Sequence, residues 1–153
     1  MKIKNLINNI FIFSLLIFFI TSSNAGEIFV SLKKNKVNVR YGPSFESDIK
    51  YVYKKINLPL KQIDKKENFR RIIDHKNNSG WIHVSQLKKT NSVITLKDKI
   101  MFKKSTIFSK PVAKIKKGRL LVVKKCKIGW CKIKTENFVG WVNTKDLWGT
   151  IIN

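Results

Sequence analysis

Two stretches sixty positions apart end in the same way, and that duplication limits the fold more than any other feature of the chain. Gly80-Trp81-Ile82 runs on to Leu87, and Gly140-Trp141-Val142 runs on to Leu147. Each follows a β-like run closed by a polar turn, Phe69-Arg70-Arg71-Ile72-Ile73 in one copy and Trp130-Cys131-Lys132-Ile133 in the other. Self-similarity at a period of about 60 residues marks duplicated units, each long enough to fold as a small domain.

Strand signals fill both copies. Glu27 to Leu32 alternates, and Lys36 to Arg40 alternates before Gly42-Pro43 breaks the run. Tyr51-Val52-Tyr53, Leu58 to Ile63, Phe69 to Ile73 and Gly80 to Val84 follow as short β segments. The polar stretches Asp64 to Asn68 and His75 to Ser79 read as the turns between them. The second copy opens with Val93 to Leu96 and Lys99 to Phe102, then Pro111 to Ile115, a turn at Lys116-Lys117-Gly118, and Leu120 to Val123. No window sustains a 3.6-residue apolar period, so no long helix is predicted. Five or six short strands per copy fit a small barrel that closes most of its edges. The domains are placed at 26–88 and 93–150, with a polar linker at 89–92, and Trp81 and Trp141 are expected to fill the two cores.

Residues 1–25 are set apart. Lys2 and Lys4 give a basic start, Ile10 to Ile20 is apolar apart from Ser14, and Ser23-Asn24-Ala25 offers small residues for cleavage, the order of a signal peptide. An uncleaved anchor is the competing reading; the apolar run is shorter than the roughly 18 residues of a spanning helix. Cleavage before Gly26 leaves 30 basic against 9 acidic residues, a net +21. That charge draws anionic partners: anionic lipid, lipopolysaccharide or acidic wall polysaccharide, rather than nucleic acid, in an exported protein. Lysines that only keep the protein soluble are the plainer reading. The expected location is periplasmic.

The two cysteines, Cys126 and Cys131, both fall in the second copy, and export would place them where disulfides persist. A two-residue turn at Ile128-Gly129 makes Lys127 and Trp130 the first hydrogen-bonded pair. Cys126 and Cys131 are then the next pair, with Cα atoms about 4.5 Å apart. This is at the short end for a disulfide. A zinc site is the weaker rival, because only His75 and His83, in the other copy, remain to complete a ligand set. No metal and no cofactor are expected.

Val37-Asn38-Val39-Arg40-Tyr41-Gly42-Pro43-Ser44, with Phe69 to Ile72 and Gly80 to His83, resembles the bacterial Src-homology-3-like (SH3-like) domain family. The second copy resembles it through Pro111 to Ile115, Lys117-Gly118, Gly129 to Ile133 and Gly140 to Val142. The resemblance implies an all-β chain of two tandem small SH3-like barrels of five to six strands after the signal peptide. It also implies a binding role in the envelope, with peptidoglycan peptides or an envelope protein as partners. The second copy departs at the opening, where Met101 to Thr106 replaces Asn38 to Pro43. Two readings of that opening stand. It shapes a ligand groove kept only by the first domain, or it is structural, with Asn38 serving turn backbone, Arg40 lying over a ring and Gly42-Pro43 fixing a turn.

Aromatic-lined grooves that take extended peptides make Tyr41, Arg40, Tyr51 and Tyr53 the candidate ligand residues. Tyr41 beside the Gly-Pro turn is the expected exposed ring, while Tyr51 and Tyr53 share one strand face, inward or outward. Trp130, Trp141 and Trp148 cluster in the second copy. Catalysis finds little support: His75 and His83 stand without a cysteine in their own copy, and no Gly-x-Ser-x-Gly elbow or phosphate-cradling loop occurs. Both histidines are expected in surface or packing roles. With the second copy running to Trp148-Gly149-Thr150, no attached catalytic domain is expected.

Overall fold

The computed structural model describes residues 26–149, Glu136 excepted. The leader expected over 1–25 lies outside the described residues. The first copy contributes β1 (Phe29–Leu32), β2 (Val37–Arg40), β3 (Ile49–Tyr53), β4 (Pro59–Lys66), β5 (Phe69–Ile73), β6 (Ser79–His83) and β7 (Leu87–Lys89), with one 3-10 turn at Val84–Gln86. The second contributes β8 (Ser92–Thr95), β9 (Lys99–Phe102), β10 (Pro111–Ile115), β11 (Leu120–Lys127), β12 (Trp130–Lys134), β13 (Val139–Asn143) and β14 (Leu147–Trp148).

The sheets are antiparallel and ordered β3-β2-β6-β5-β4-β1-β7 and β10-β9-β13-β12-β11-β8-β14, so each strand of the first has its counterpart seven places on. Even the irregularities repeat. Register shifts fall between Val39 and Arg40 and between Gln62 and Asp64 in the first barrel, and between Pro111 and Ala113 and between Val123 and Lys125 in the second.

Three sequence expectations change. Each sheet has seven strands rather than five or six, because a short strand after the Gly-Trp motif returns to pair with the first: Leu87 with Leu32, and Leu147 with Thr95. The polar run Asp64 to Lys66, expected as a turn, continues β4. A bulge bends that strand out of the core, so its far half pairs with β5 while exposing both faces, and the turn narrows to Glu67-Asn68. Third, Trp81 and Trp141 do not fill the cores. Alternation sends Gly80 and Ile82 inward and leaves Trp81 half-buried on the outer face; Gly140, Trp141 and Val142 repeat this.

The glycines are needed for close packing. A Cβ on Gly80 would lie 2.4 Å from Val39 Cγ1 and 3.0 Å from the Arg40 carbonyl oxygen. On Gly140 it would lie 2.5 Å from Met101 Cγ and 2.7 Å from the Phe102 carbonyl oxygen. The repeated Gly-Trp thus marks where one strand crosses tightly over another. The cores around these crossings are aliphatic: Leu32, Val37, Val39, Leu60, Ile72 and Ile82 in the first barrel. Val93, Met101, Leu121, Ile133 and Val142 fill the second.

The barrels share a seam. Strand β8 is buried along its whole length, and Ile94 belongs to the core of the first barrel, where Leu120 and Trp148 also pack. Trp148 Nε1 donates to the Pro59 carbonyl at 3.3 Å, and its ring meets Phe29 edge-on at 5.3 Å. Buried hydroxyls complete the contact: Ser31 Oγ donates to Thr90 Oγ1 at 2.8 Å and lies 3.1 Å from Ser92 Oγ. Of the expected linker at 89–92, Lys89 ends β7, Ser92 begins β8 and Thr90 is buried.

Candidate functional site

Alternation along β2 sends Val37 and Val39 inward and Arg40 out of the barrel, next to exposed Tyr41 at the start of the 41–48 loop, and a bulge in the facing strand β3 leaves Lys50 as its extra residue. Arg40 stands opposite Trp81, which stands opposite Arg71, so all three side chains share the outer face. Arg40 Nη1 donates to the Ser47 carbonyl at 2.6 Å, and its guanidinium lies 5.7 Å from the Phe45 ring centre. Arg40 therefore holds the loop as well as the cleft. Tyr41 is 66% exposed, with Lys50 Nζ 5.5 Å from its ring centre. Together with Lys50 and Ser79 these residues line a shallow cleft of about 250 Å³. It has flat rings for stacking, three cations and the unpaired edge of β3 alongside.

Tyr51 and Tyr53 lie elsewhere. Both are half-buried against the first core, their rings edge-on at 5.2 Å. The Tyr53 hydroxyl donates to Asp74 Oδ2 at 3.0 Å and sits 3.3 Å from the Tyr51 hydroxyl. Burial first, then these two neighbours, push the Tyr53 phenol far above the usual tyrosine range, so it stays neutral. Burial alone would raise Asp74. Hydrogen bonds from the Asn78 side chain and from the Asn78 and Lys76 amides outweigh it and hold the carboxyl below its usual range. Of the four candidate residues, the fold brings Arg40 and Tyr41 to the cleft and uses Tyr51 and Tyr53 to plug the barrel mouth.

Sequence reasoning missed Trp81, Arg71 and Lys50. The alternation that places Trp81 outside was visible, but a tryptophan in an apolar strand reads first as core. Arg71 and Lys50 come beside it only through pairing across four strands, β3-β2-β6-β5.

The same outer face in the second barrel is built differently. Phe102 takes the place of Arg40 opposite Trp141, and its ring lies 5.8 Å from that of Trp130. Lys127 Nζ lies 5.0 Å from the Trp141 ring centre. The twofold sheet order and both Gly-Trp crossings point to one domain type used twice, and the bacterial SH3 domain family matches the chain at residues 33–89 and again at 101–149. The chain belongs to the bacterial SH3 domain family. No curated protein sequence matches it. Among solved structures the tandem SH3 chain is similar to NlpC2 from Trichomonas vaginalis, with 10% identity, a TM-score of 0.38, and coverage of 84% of this chain and 50% of that one. It is also similar to NlpC1 of the same organism, with 11% identity, a TM-score of 0.38, and coverage of 83% and 47%. It spans about half the length of those proteins.

The cysteines and His83 of the SH3 pair serve structure. Cys126 and Cys131 face each other across β11 and β12 and form a disulfide with a Cα separation of 4.0 Å. His83 caps the 3-10 turn, its Nδ1 2.8 Å from Ser85 Oγ, and its ring packs between Phe45 and Phe69. His75 has Nδ1 buried without a partner among the described residues. No group of three or more His, Cys, Asp or Glu placed to hold a metal occurs among the described residues.

Proposed function

We propose that the protein is an exported, non-catalytic binding or adaptor protein of the cell envelope, periplasmic after loss of its leader. Its first SH3 barrel would hold a peptide-like ligand, either a peptidoglycan peptide or a segment of an envelope protein. The observation that carries this reading is the outward cleft where exposed Tyr41 and half-buried Trp81 stand among Arg40, Lys50 and Arg71. An extended peptide can pair with the open β3 edge while the rings give flat contact and the cations meet its carboxylates.

The test is a pull-down of the chain from Gly26 onward with purified peptidoglycan, at low and high salt, beside Tyr41→Ala. Retention at high salt that is lost in Tyr41→Ala is the expected result, since salt removes mainly the long-range field. The absence of binding at both salts, with the fold intact, would reject the wall and turn the search to a protein partner.

A second reading has its own support. From Lys99 to Thr135 the second barrel carries thirteen basic residues and no acidic one. Such a field coats anionic lipid or lipopolysaccharide without a groove. Binding that vanishes with salt and ignores Tyr41→Ala would favour it.

A further inference from the structure

The two barrels differ at one mouth. Matched by register, Tyr51 opposite Val39 corresponds to Ala113 opposite Met101, and Tyr53 opposite Val37 corresponds to Ile115 opposite Lys99. The turn residues Asn57 and Gly118 are also equivalent: both have positive φ, and their amides donate to the Leu32 and Thr95 carbonyls. Leu58, buried in the first core, therefore corresponds to exposed Arg119. Asp74, whose amide donates to the Asn78 carbonyl, corresponds to Thr135, whose amide donates to the Phe138 carbonyl. The four residues that fill and tie the first mouth thus become Ala113, Ile115, Arg119 and Thr135.

All four replacements line a cleft of about 690 Å³. This lies within the roughly 300–1,000 Å³ typical of small-molecule sites. Its floor is aliphatic: Met101, Ala113, Ile115 and Leu121. Lys114, Arg119 and Lys134 bring positive charge to its rim, as does Lys116, whose ammonium lies 3.1 Å from Asp98. Phe138, 45% exposed, stands at the edge.

We infer that the second barrel binds a free long-chain carboxylate here, its alkyl chain on the aliphatic floor and its head group among the rim cations. Two features select this class. The floor offers carbon and sulfur to a chain and no hydrogen-bonding side chain, and methionine adapts to an unbranched tail. Among the described rim residues the charge of Lys114, Arg119 and Lys134 has the opposite sign to the head group, so both ends of one molecule are matched. The site is separate from the first-barrel cleft and does not depend on wall binding.

Met101 is the only methionine from Gly26 onward, so a methyl-labelled sample reports the floor of the cleft with one NMR signal. The probe is dodecanoate below its micelle concentration, compared with dodecyltrimethylammonium, which has the same tail and the opposite charge. The expected result is a saturable shift of the Met101 methyl with dodecanoate and at least tenfold weaker binding of the cation. Ala113→Tyr with Ile115→Tyr, which rebuilds the plug of the first barrel, should weaken dodecanoate at least tenfold. Arg119→Leu, an exposed change that restores the first-barrel residue, carries the test if the double variant fails to fold, and should also favour the cation relative to dodecanoate. Equal binding of both amphiphiles, or dodecanoate binding indifferent to these substitutions, would overturn the assignment. So would a Met101 shift produced by a Glu-rich octapeptide with one Leu but not by dodecanoate, which would make the cleft a peptide groove.

Discussion

Asp74 shows how much one side chain can organise. Its carboxylate takes hydrogen bonds from Tyr53, from the Asn78 side chain and from the Lys76 and Asn78 amides, while the residue itself is buried. Asp74→Ala leaves those donors unmet and should cost about 1–3 kcal/mol in urea unfolding. Because its folded pKa is depressed, its contribution is complete above the unfolded carboxyl value of about 3.9 and is lost as pH falls through the folded value. His75 acts at higher pH. Burial, with Lys76 and Lys55 adding to it against Asp74, lowers its pKa, so the folded state prefers the neutral ring. Its contribution is therefore present above about pH 6.5 and declines as pH falls from there towards the folded pKa. In His75→Gln the decline between pH 7 and pH 5 should flatten; an unchanged pH profile would remove His75 as its source.

At the scale of elements, the repeated glycine is the most exacting position. Gly80→Ala and Gly140→Ala push a methyl against backbone carbonyl oxygens that cannot move aside, and each should lower stability by about 1–3 kcal/mol. Differential scanning calorimetry reads this directly, and a neutral outcome at both sites would show that the crossings relax. The β11–β12 hairpin is the element most legible in advance. A two-residue turn determines which residues face each other, and Cys126 does face Cys131, with Lys127 opposite Trp130. The loop the disulfide closes is short, so Cys126→Ser with Cys131→Ser should cost only about 2 kcal/mol and leave the fold intact. The extent of β4 was not legible. Its last residues are polar on both faces, and their pairing with β5 beyond the bulge is a tertiary feature.

For the molecule as a whole, the seam decides whether there are two domains or one cooperative body. Trp148 comes from the last strand of the second barrel yet packs on Phe29 and bonds to Pro59 in the first. Ile94 sits in a core whose other buried residues all come from the first barrel, with Leu120 packed against it. Unfolding should therefore be a single calorimetric transition. Trp148→Ala should lower it by about 3 kcal/mol, the range for removing a large packed ring, and separate it into two. Two transitions in the unaltered chain would show that the seam does not couple the barrels.

What the sequence alone determined was local and periodic: the duplication, the β class, most strand positions, the hairpin register and the cysteine pair. The duplication is read by comparing the chain with itself sixty positions on, and the others depend on neighbours a few residues apart or on the two-residue alternation of a strand. Only the tertiary structure decided which face of that alternation is inside at Trp81, because its inward neighbour is a glycine pressed by another strand. It alone brought Arg71 and Lys50 beside Tyr41 and Trp81, and turned Tyr51 and Tyr53 inward. It also buried Ser31, Thr90 and Ser92, polar residues that read as surface until they satisfy one another across the seam. Such placements depend on partners tens of residues away, and no local pattern carries that information.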